Sequence, residues 1–298
     1  MSVFRLAMHP ASEGDALILT WGTAGDLHHA LVDLGRRGDY TALKPLLAGI
    51  AAFDLFTLTH IDADHIEGAV PMFEEVTLPF TAAHVWFNAH HQLAAANDRL
   101  PAGARMPMGA GQAEKITAGI LRSGWRWNAQ FASGIASVDS AEAAQPILFP
   151  GGLSLTLLSP SDRKLAKLLP VWDEELRKAG LRTIDEKAVE QALIAGRVAM
   201  GAIDVAMLAA EKFRPDRSEP NGAGIAFVAE FAGRRVLMAA DAHPDLLVES
   251  LRRLGASETN RYRLDCLKMS DHGSRSNISP ALLDLLDCSC FAFSTDGS

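Results

Sequence analysis

The chain has 298 residues, 48% hydrophobic and 21% charged, with a formal net charge of -8. That composition allows one large α/β domain or two small ones and excludes a disordered chain. The acidic balance disfavours a protein that coats duplex nucleic acid through phosphate contacts, which calls for a basic surface. The N-terminus lacks a basic region followed by a long apolar core, and no window reaches the ~18 uninterrupted apolar residues of a membrane span. A cytoplasmic protein with no membrane partner is expected.

"FRLAMHP" and "DALILTWG" read as two strands around the turn "ASEGD", and "HHALVDLG" (28–35) as a third ending in Asp33 and Gly35. Leu43, Leu46, Leu47 and Ile50 have helical spacing and predict a helix over 38–50. "LFTLTH" is the next strand, 65–75 a helix, and "HVWFNA" (84–89) a short strand. From Gln92 to Gln145 the pattern weakens; an insert, helical from about Ala113 to Arg122, fits better than core sheet. "LSLTLLSPS" (153–161) is a strong strand. Residues 162–180 and part of 182–213 look helical, with a break at Pro170, and 214–224 is a polar loop. "IAFVAEF" and "RRVLMAAD" follow as strands around a tight turn, then a helix (244–254), the strand "LDCLKMS", the loop "DHGSRSN", the helix "SPALLDLLD" and the strand "CFAFST". Strand–helix alternation argues for a layered α/β fold. Two β-rich halves with helices outside would make a four-layer αββα sandwich within a single domain, 1–298.

Cys266, Cys288 and Cys290 lie in apolar, strand-like runs and read as reduced, buried thiols; a Cys-x-Cys metal site would need a second pair.

The densest chemistry is "THIDADHIEG", directly after an apolar strand. His60, Asp62, Asp64 and His65 are imidazole and carboxylate donors, the ligands of Zn²⁺ or Mn²⁺. Four donors in six residues exceed what one tetrahedral ion needs once water takes a place. Two divalent metal ions are the economical account, His60 and Asp62 leaning to one and Asp64 and His65 to the other. The plainer account is a polar loop with Asp64 capping the next helix.

This motif resembles the H-x-[HD]-x-D-H signature of metallo-β-lactamase fold hydrolases. "LVDLG", "RRVLMAADAHPD" and "LKMSDHGSRSNIS" resemble further motifs of that family in the same order, and "EGDALIL" also fits the nuclease-type branch found in competence DNA-uptake channels. The resemblance implies His60, Asp62, Asp64, His65, Asp241 and His272 as ligands of two metals, with Asp241 bridging them and Asp64 also orienting the water they activate. Asp62 stands where many relatives have His, which hardens that site toward Mn²⁺ or Mg²⁺. Ala240 replaces a Gly, and Asp271–His272 stands where His-His is common, so either residue could be the late ligand. The chain stops at "FAFSTDGS" where relatives continue with a His-Pro segment and a helix, so a truncated C-terminus is expected.

Other candidates are less specific. His84, His90 or His91 could supply a further ligand and Asn88 a polar contact; His243, two residues past Asp241, could sit near the site or simply start a helix before Pro244, and His9, His28 and His29 read as structural or surface residues. Gly273, Ser274, Ser276 and Asn277, with Arg275, could hold a phosphate at a helix start, or Asn277 or Ser279 could simply cap it. Trp125 and Trp127 with Arg122 and Arg126 could stack bases, or form a small insert core. The leading expectation is a dinuclear metal-dependent phosphodiesterase or nuclease acting on a phosphoester such as single-stranded nucleic acid or a nucleotide. The alternatives are a carbon-ester or thioester hydrolase, or a non-catalytic binding module with a degraded metal site.

Overall fold

Two runs of apolar strands build two six-stranded mixed sheets. The protein is described from a computed structural model covering residues 1–107, 115–178 and 213–295. The first sheet contains β1 (Ser2–Met8), β2 (Leu17–Thr23), β3 (Asp26–Val32), β4 (Ala52–Thr57), β5 (Thr81–Trp86) and β6 (Arg126–Trp127) in sequence order. Its first two junctions are antiparallel, and β3, β4, β5 and β6 run parallel. The second has the order β14-β12-β10-β9-β8-β7, built from β7 (Ile147–Leu148), β8 (Ser154–Ser159), β9 (Ala226–Phe231), β10 (Arg234–Met238), β12 (Cys266–Lys268) and β14 (Phe291–Ala292). Here β10, β12 and β14 are parallel, and the other junctions antiparallel. The predicted strand "LDCLKMS" is interrupted at Asp265: β11 (Tyr262–Leu264) leaves to pair with β13 (Leu286–Cys288).

Strand alternation sends one side chain set to each face. On one face of the first sheet Leu17, Leu19, Trp21, Val32 and Leu55 join Leu155, Phe227, Ala229 and Met238 of the second in a shared apolar cluster. Trp86 meets Phe227 edge-on at 5.9 Å and Phe4 meets Phe231 at 5.8 Å across this layer. The opposite face of the first sheet (Ile18, Leu31, Phe56, Val85) packs on Tyr40, Leu43 and Leu47 of the helix Arg37–Ile50. The outer face of the second (Val228, Leu237, Leu267) packs on Leu247 and Leu251 of the helix Pro244–Arg253. Each large side chain removed from water here contributes ~1.5–3 kcal/mol.

Three expectations change. The insert at 92–145 is not excluded from the sheet: β6 pairs with β5, His84 opposite Arg126, and extends it by a strand. The predicted helix at 65–75 is two pieces, Ala63–Ile66 and Ala69–Glu74, joined at Gly68. A Cβ there would come within 2.2 Å of the Leu34 carbonyl oxygen, so the absent side chain lets the loop after β3 lie against the helix. The cysteines are free, but Cys290 is exposed and Cys266 and Cys288 are half-buried, because β14 is an edge strand. The break at Pro170 is a 3-10 turn, Leu169–Val171, between helices Asp162–Leu168 and Trp172–Lys178. Most of the helical reading for 182–213 lies outside the described residues. Among those described, no helix is long and apolar enough to cross a membrane.

A candidate metal centre between the two sheets

The parallel strands of both sheets deliver their following loops to one place. His60, Asp62, Asp64 and His65 follow β4, and Asp33 follows β3; Asp241 follows β10 and His272 follows β12. Asp15 joins them just before β2, which is antiparallel to β3 and so starts at the same end. Carboxyl ends of strands are where α/β sheets gather ligand-binding side chains.

The backbone is bent to do this. Asp33, Ala240, Asp271 and His272 all adopt positive φ, at 58°, 47°, 47° and 54°. Such backbone is costly for residues with a Cβ and concentrates at functional sites. Gly14 carries a related constraint, since a Cβ there would sit 1.5 Å from the Asp64 carbonyl oxygen.

Asp241 Oδ2 lies 3.3 Å from His65 Nε2 and 3.7 Å from Nε2 of both His60 and His272. His60 Nε2 is 3.6 Å from Asp62 Oδ2, and Asp64 Oδ2 is 3.4 Å from His272 Nε2 and 3.7 Å from His65 Nε2. His65 and His272 face each other, Nε2 to Nε2, at 3.3 Å. Most of these separations exceed a good hydrogen bond. They match the edge of a coordination tetrahedron, since donors at ~2.1 Å from one ion are ~3.4 Å apart. Among the described residues His60 Nε2 and Asp241 Oδ1 are buried without a hydrogen-bond partner, a costly state that a cation relieves. The residues therefore fit a metal: His60, His65 and Asp241 form one buried donor group, and Asp64, His65 and His272 form another.

Two imidazoles are oriented by one carboxylate. Asp33, fully buried, accepts the Thr59 N–H at 2.8 Å on Oδ1 and the Thr59 hydroxyl at 2.7 Å on Oδ2. Its Oδ2 also accepts from His65 Nδ1 at 2.8 Å. The Thr59 hydroxyl has spent its hydrogen on Asp33, so the 2.9 Å contact to His60 Nδ1 runs from the imidazole to the hydroxyl. Both rings thus donate through Nδ1 and turn Nε2 into the cluster, where a cation would find the lone pair once any Nε2 proton is displaced.

Burial alone would lower the proton affinity of His65, but the negative charges of Asp241 and Asp33 hold it well above the ordinary histidine value. Burial and His65 push His60 the same way, and Asp62 and Asp241 outweigh them to raise it. Burial likewise favours the neutral form of Asp241 and Asp64. His65 and His60 hold Asp241 well below the carboxylate range, and His272 and His65 do so for Asp64. In the metal-free cluster the carboxylates thus favour the protonated forms of His60 and His65, and the imidazoles favour the ionised forms of Asp241 and Asp64.

The structure separates the remaining candidates. His272 reaches His65 and Asp64, whereas Asp271 joins only a group with Asp241 and His272, and burial and the Asp241 charge push its carboxyl up. His84, His90 and His91 belong to none of these groups. They lie against Phe149, Trp172 and Trp127. Asn88 braces Ala136 through both its amide atoms and accepts from Asn128. Asn277 is fully buried and donates to the Asp241 carbonyl at 3.0 Å, and the Ser279 hydroxyl caps the helix Pro280–Asp284. Asn277 is thus committed to the Asp241 backbone, and of the two expected caps Ser279 is the one that serves. Trp125 stacks on Phe80 at 5.4 Å and Trp127 on Phe87 at 6.4 Å, with Trp127 Nε1 donating to the Phe87 carbonyl. They pack the core rather than present faces to bases.

His243 contacts Lys164 at 2.9 Å and lines a cavity of about 800 Å³ with Lys167, Asp216, Arg217 and Val248, two residues from Asp241. Asp15, Lys268 and Ser294 also border the donor cluster. Asp15 and Lys268 fall inside the stretches "EGDALIL" and "LKMSDHGSRSNIS" and only Ser294 stands outside every motif, but none of the three is singled out by those motifs. No family model matches the chain, and a comparison with curated proteins finds no similar one.

Proposed function

We propose that the protein is a metal-dependent hydrolase of phosphoesters with the four-layer αββα architecture of metallo-β-lactamase fold enzymes. The observation that carries this reading is the placement of one buried carboxylate oxygen, Asp241 Oδ2, within 3.7 Å of three imidazole Nε2 atoms drawn from both sheets. A bound pair of divalent cations supplies Lewis acidity and lowers the pKa of a coordinated water.

The chain's own residues do the rest. Thr59 and Asp33 keep the His60 and His65 lone pairs aimed inward. Asp241 spans the two half-sites. Asp64, about one-fifth exposed at its side chain, would orient a water at the cluster. Asp62, an oxygen donor in a position that could hold an imidazole, favours hard cations and therefore phosphoester over thioester or carbon-ester substrates.

Metal analysis of the purified protein combined with turnover of bis-p-nitrophenyl phosphate tests the reading. Two equivalents of Mn²⁺ or Zn²⁺ and chelator-sensitive phosphodiester cleavage are expected. Cleavage of p-nitrophenyl acetate without phosphodiester cleavage would move the assignment to carbon esters. Absence of bound metal after incubation with either cation would overturn it.

A further inference from the structure

Lys268 is fully buried, and so is the carboxylate it meets: Lys268 Nζ lies 2.5 Å from Asp15 Oδ2, and the two residues are 0% and 1% exposed. They come from different sheets, Lys268 from β12 and Asp15 from the turn leading into β2. Removing two charges from water costs as much as their attraction returns, so such a pair is poorly explained by stability alone. What the pair touches suggests a task. Asp15 Oδ1 accepts a hydrogen bond from the Ser294 hydroxyl, and Ser294 Oγ lies 3.1 Å from His272 Nδ1. Ser294 has one hydrogen and gives it to Asp15, so it accepts the Nδ1 proton of His272. That turns His272 Nε2 toward Asp64 and His65 Nε2, where its lone pair is available to a cation.

The arrangement repeats that of the first sheet. There the order is Asp33, Thr59 hydroxyl, His60; here it is Asp15, Ser294 hydroxyl, His272. Asp15 also lies 4.0 Å from His65 Nδ1, so it stands behind both imidazoles that share the second half of the cluster.

We propose that Lys268, Asp15 and Ser294 form a buried relay that positions His272, fixing its tautomer and locking the second sheet's contribution to the donor cluster against the first. It rests on the metal-centre reading only for its purpose; the relay itself is a property of the protein without metal. Lys268 holds Asp15 ionised, Asp15 orients the Ser294 hydroxyl, and Ser294 keeps the His272 proton on Nδ1. These are positioning residues, since none offers an atom to the reacting group.

The test is imidazole ¹⁵N NMR of the metal-free protein at about pH 8.5, above the ordinary histidine value of ~6.5, together with Mn²⁺ titration. His272 is expected in the Nδ1–H form in the wild type. Ser294→Ala should shift it toward a tautomer mixture and weaken uptake of one Mn²⁺ about 10- to 100-fold, the usual effect of losing a hydrogen-bond partner behind a ligand. Ser294→Thr keeps the hydroxyl and should restore both signals. Asp15→Asn and Lys268→Met should reproduce the loss. If either fails to fold, the half-buried Ser294 pair still decides the matter. Finding His272 in the Nε2–H form, or an unchanged tautomer and Mn²⁺ affinity in Ser294→Ala, would overturn the relay. An intact Nδ1–H signal with no Mn²⁺ uptake by the wild type would leave the relay standing and remove the metal reading instead.

Discussion

His65 Nδ1 donates to Asp33 Oδ2 at 2.8 Å, and through the Thr59 hydroxyl the same oxygen governs His60. Three donors converge on this one carboxylate. An amide has a single acceptor oxygen, so Asp33→Asn must turn a hydrogen toward the Thr59 hydroxyl and His65 or toward the Thr59 N–H. Asn tolerates the positive φ of 58° at this position, so the backbone need not move. Metal affinity is expected to fall about 10- to 100-fold, with ~1–3 kcal/mol lost from the stability of the metal-free protein. Isothermal titration with Mn²⁺ and thermal unfolding measure the two effects separately.

That dependence on Asp33 shows where the sequence was readable and where it was not. The residues 60 to 65 announce themselves, because four donors of metal-binding type follow an apolar strand within one short loop. Asp241 and His272 lie more than 170 residues away; only their likeness to family motifs singles them out, and the sheets alone bring them to His65. Asp15, Thr59 and Lys268 lie inside the quoted motifs and Ser294 outside them, but none is a residue type that metal-ligand spacing singles out there. Their roles come from hydrogen-bond direction, which needs coordinates. β6 was hidden for another reason, since two residues have no periodicity, and Trp125 and Trp127 gave an equally good account as a stacking surface.

Asp62 sits 3.6 Å from His60 Nε2 with its side chain about one-third exposed. Replacing it by His exchanges a hard oxygen donor for an imidazole without disturbing the buried donors. Asp62→His should raise the affinity for Zn²⁺ relative to Mn²⁺ about tenfold or more, following the softer ligand set. Competition between the two ions, read by metal analysis after dialysis against a mixture, gives the ratio. An unchanged ratio would place Asp62 outside the coordination shell.

Gly14 ties the turn before β2 to the metal loop. Gly14→Ala introduces a Cβ 1.5 Å from the backbone oxygen of Asp64, and only a shift of one loop relieves it. A loss of ~1–3 kcal/mol is expected from overpacking, with weaker metal uptake because Asp64 moves. Gly38→Ala is the matched control. A Cβ at Gly38 meets nothing within 4 Å among the described residues, and the residue lies in the helix Arg37–Ile50. It should hold metal normally and gain up to ~1 kcal/mol. Equal metal binding by the two variants would show that the turn does not set the position of Asp64.

The charge array at the centre makes stability depend on pH with a definite sign. His65 has its proton affinity raised in the folded protein, so its contribution is complete below the unfolded value of ~6.5 and is lost as pH rises through the folded pKa. Asp241 and Asp64 are depressed, so theirs is complete above ~4 and lost as pH falls through their folded values. Chelator-treated protein should therefore melt highest between about pH 4 and 6.5 and decline toward alkaline pH. A cation takes over the role of the imidazolium protons, and its binding releases them. Saturating Mn²⁺ or Zn²⁺ should consequently flatten the alkaline decline and leave the optimum broader and higher. Differential scanning fluorimetry across pH, with and without chelator, measures both curves; superimposable curves would mean that no cation replaces those protons at His65.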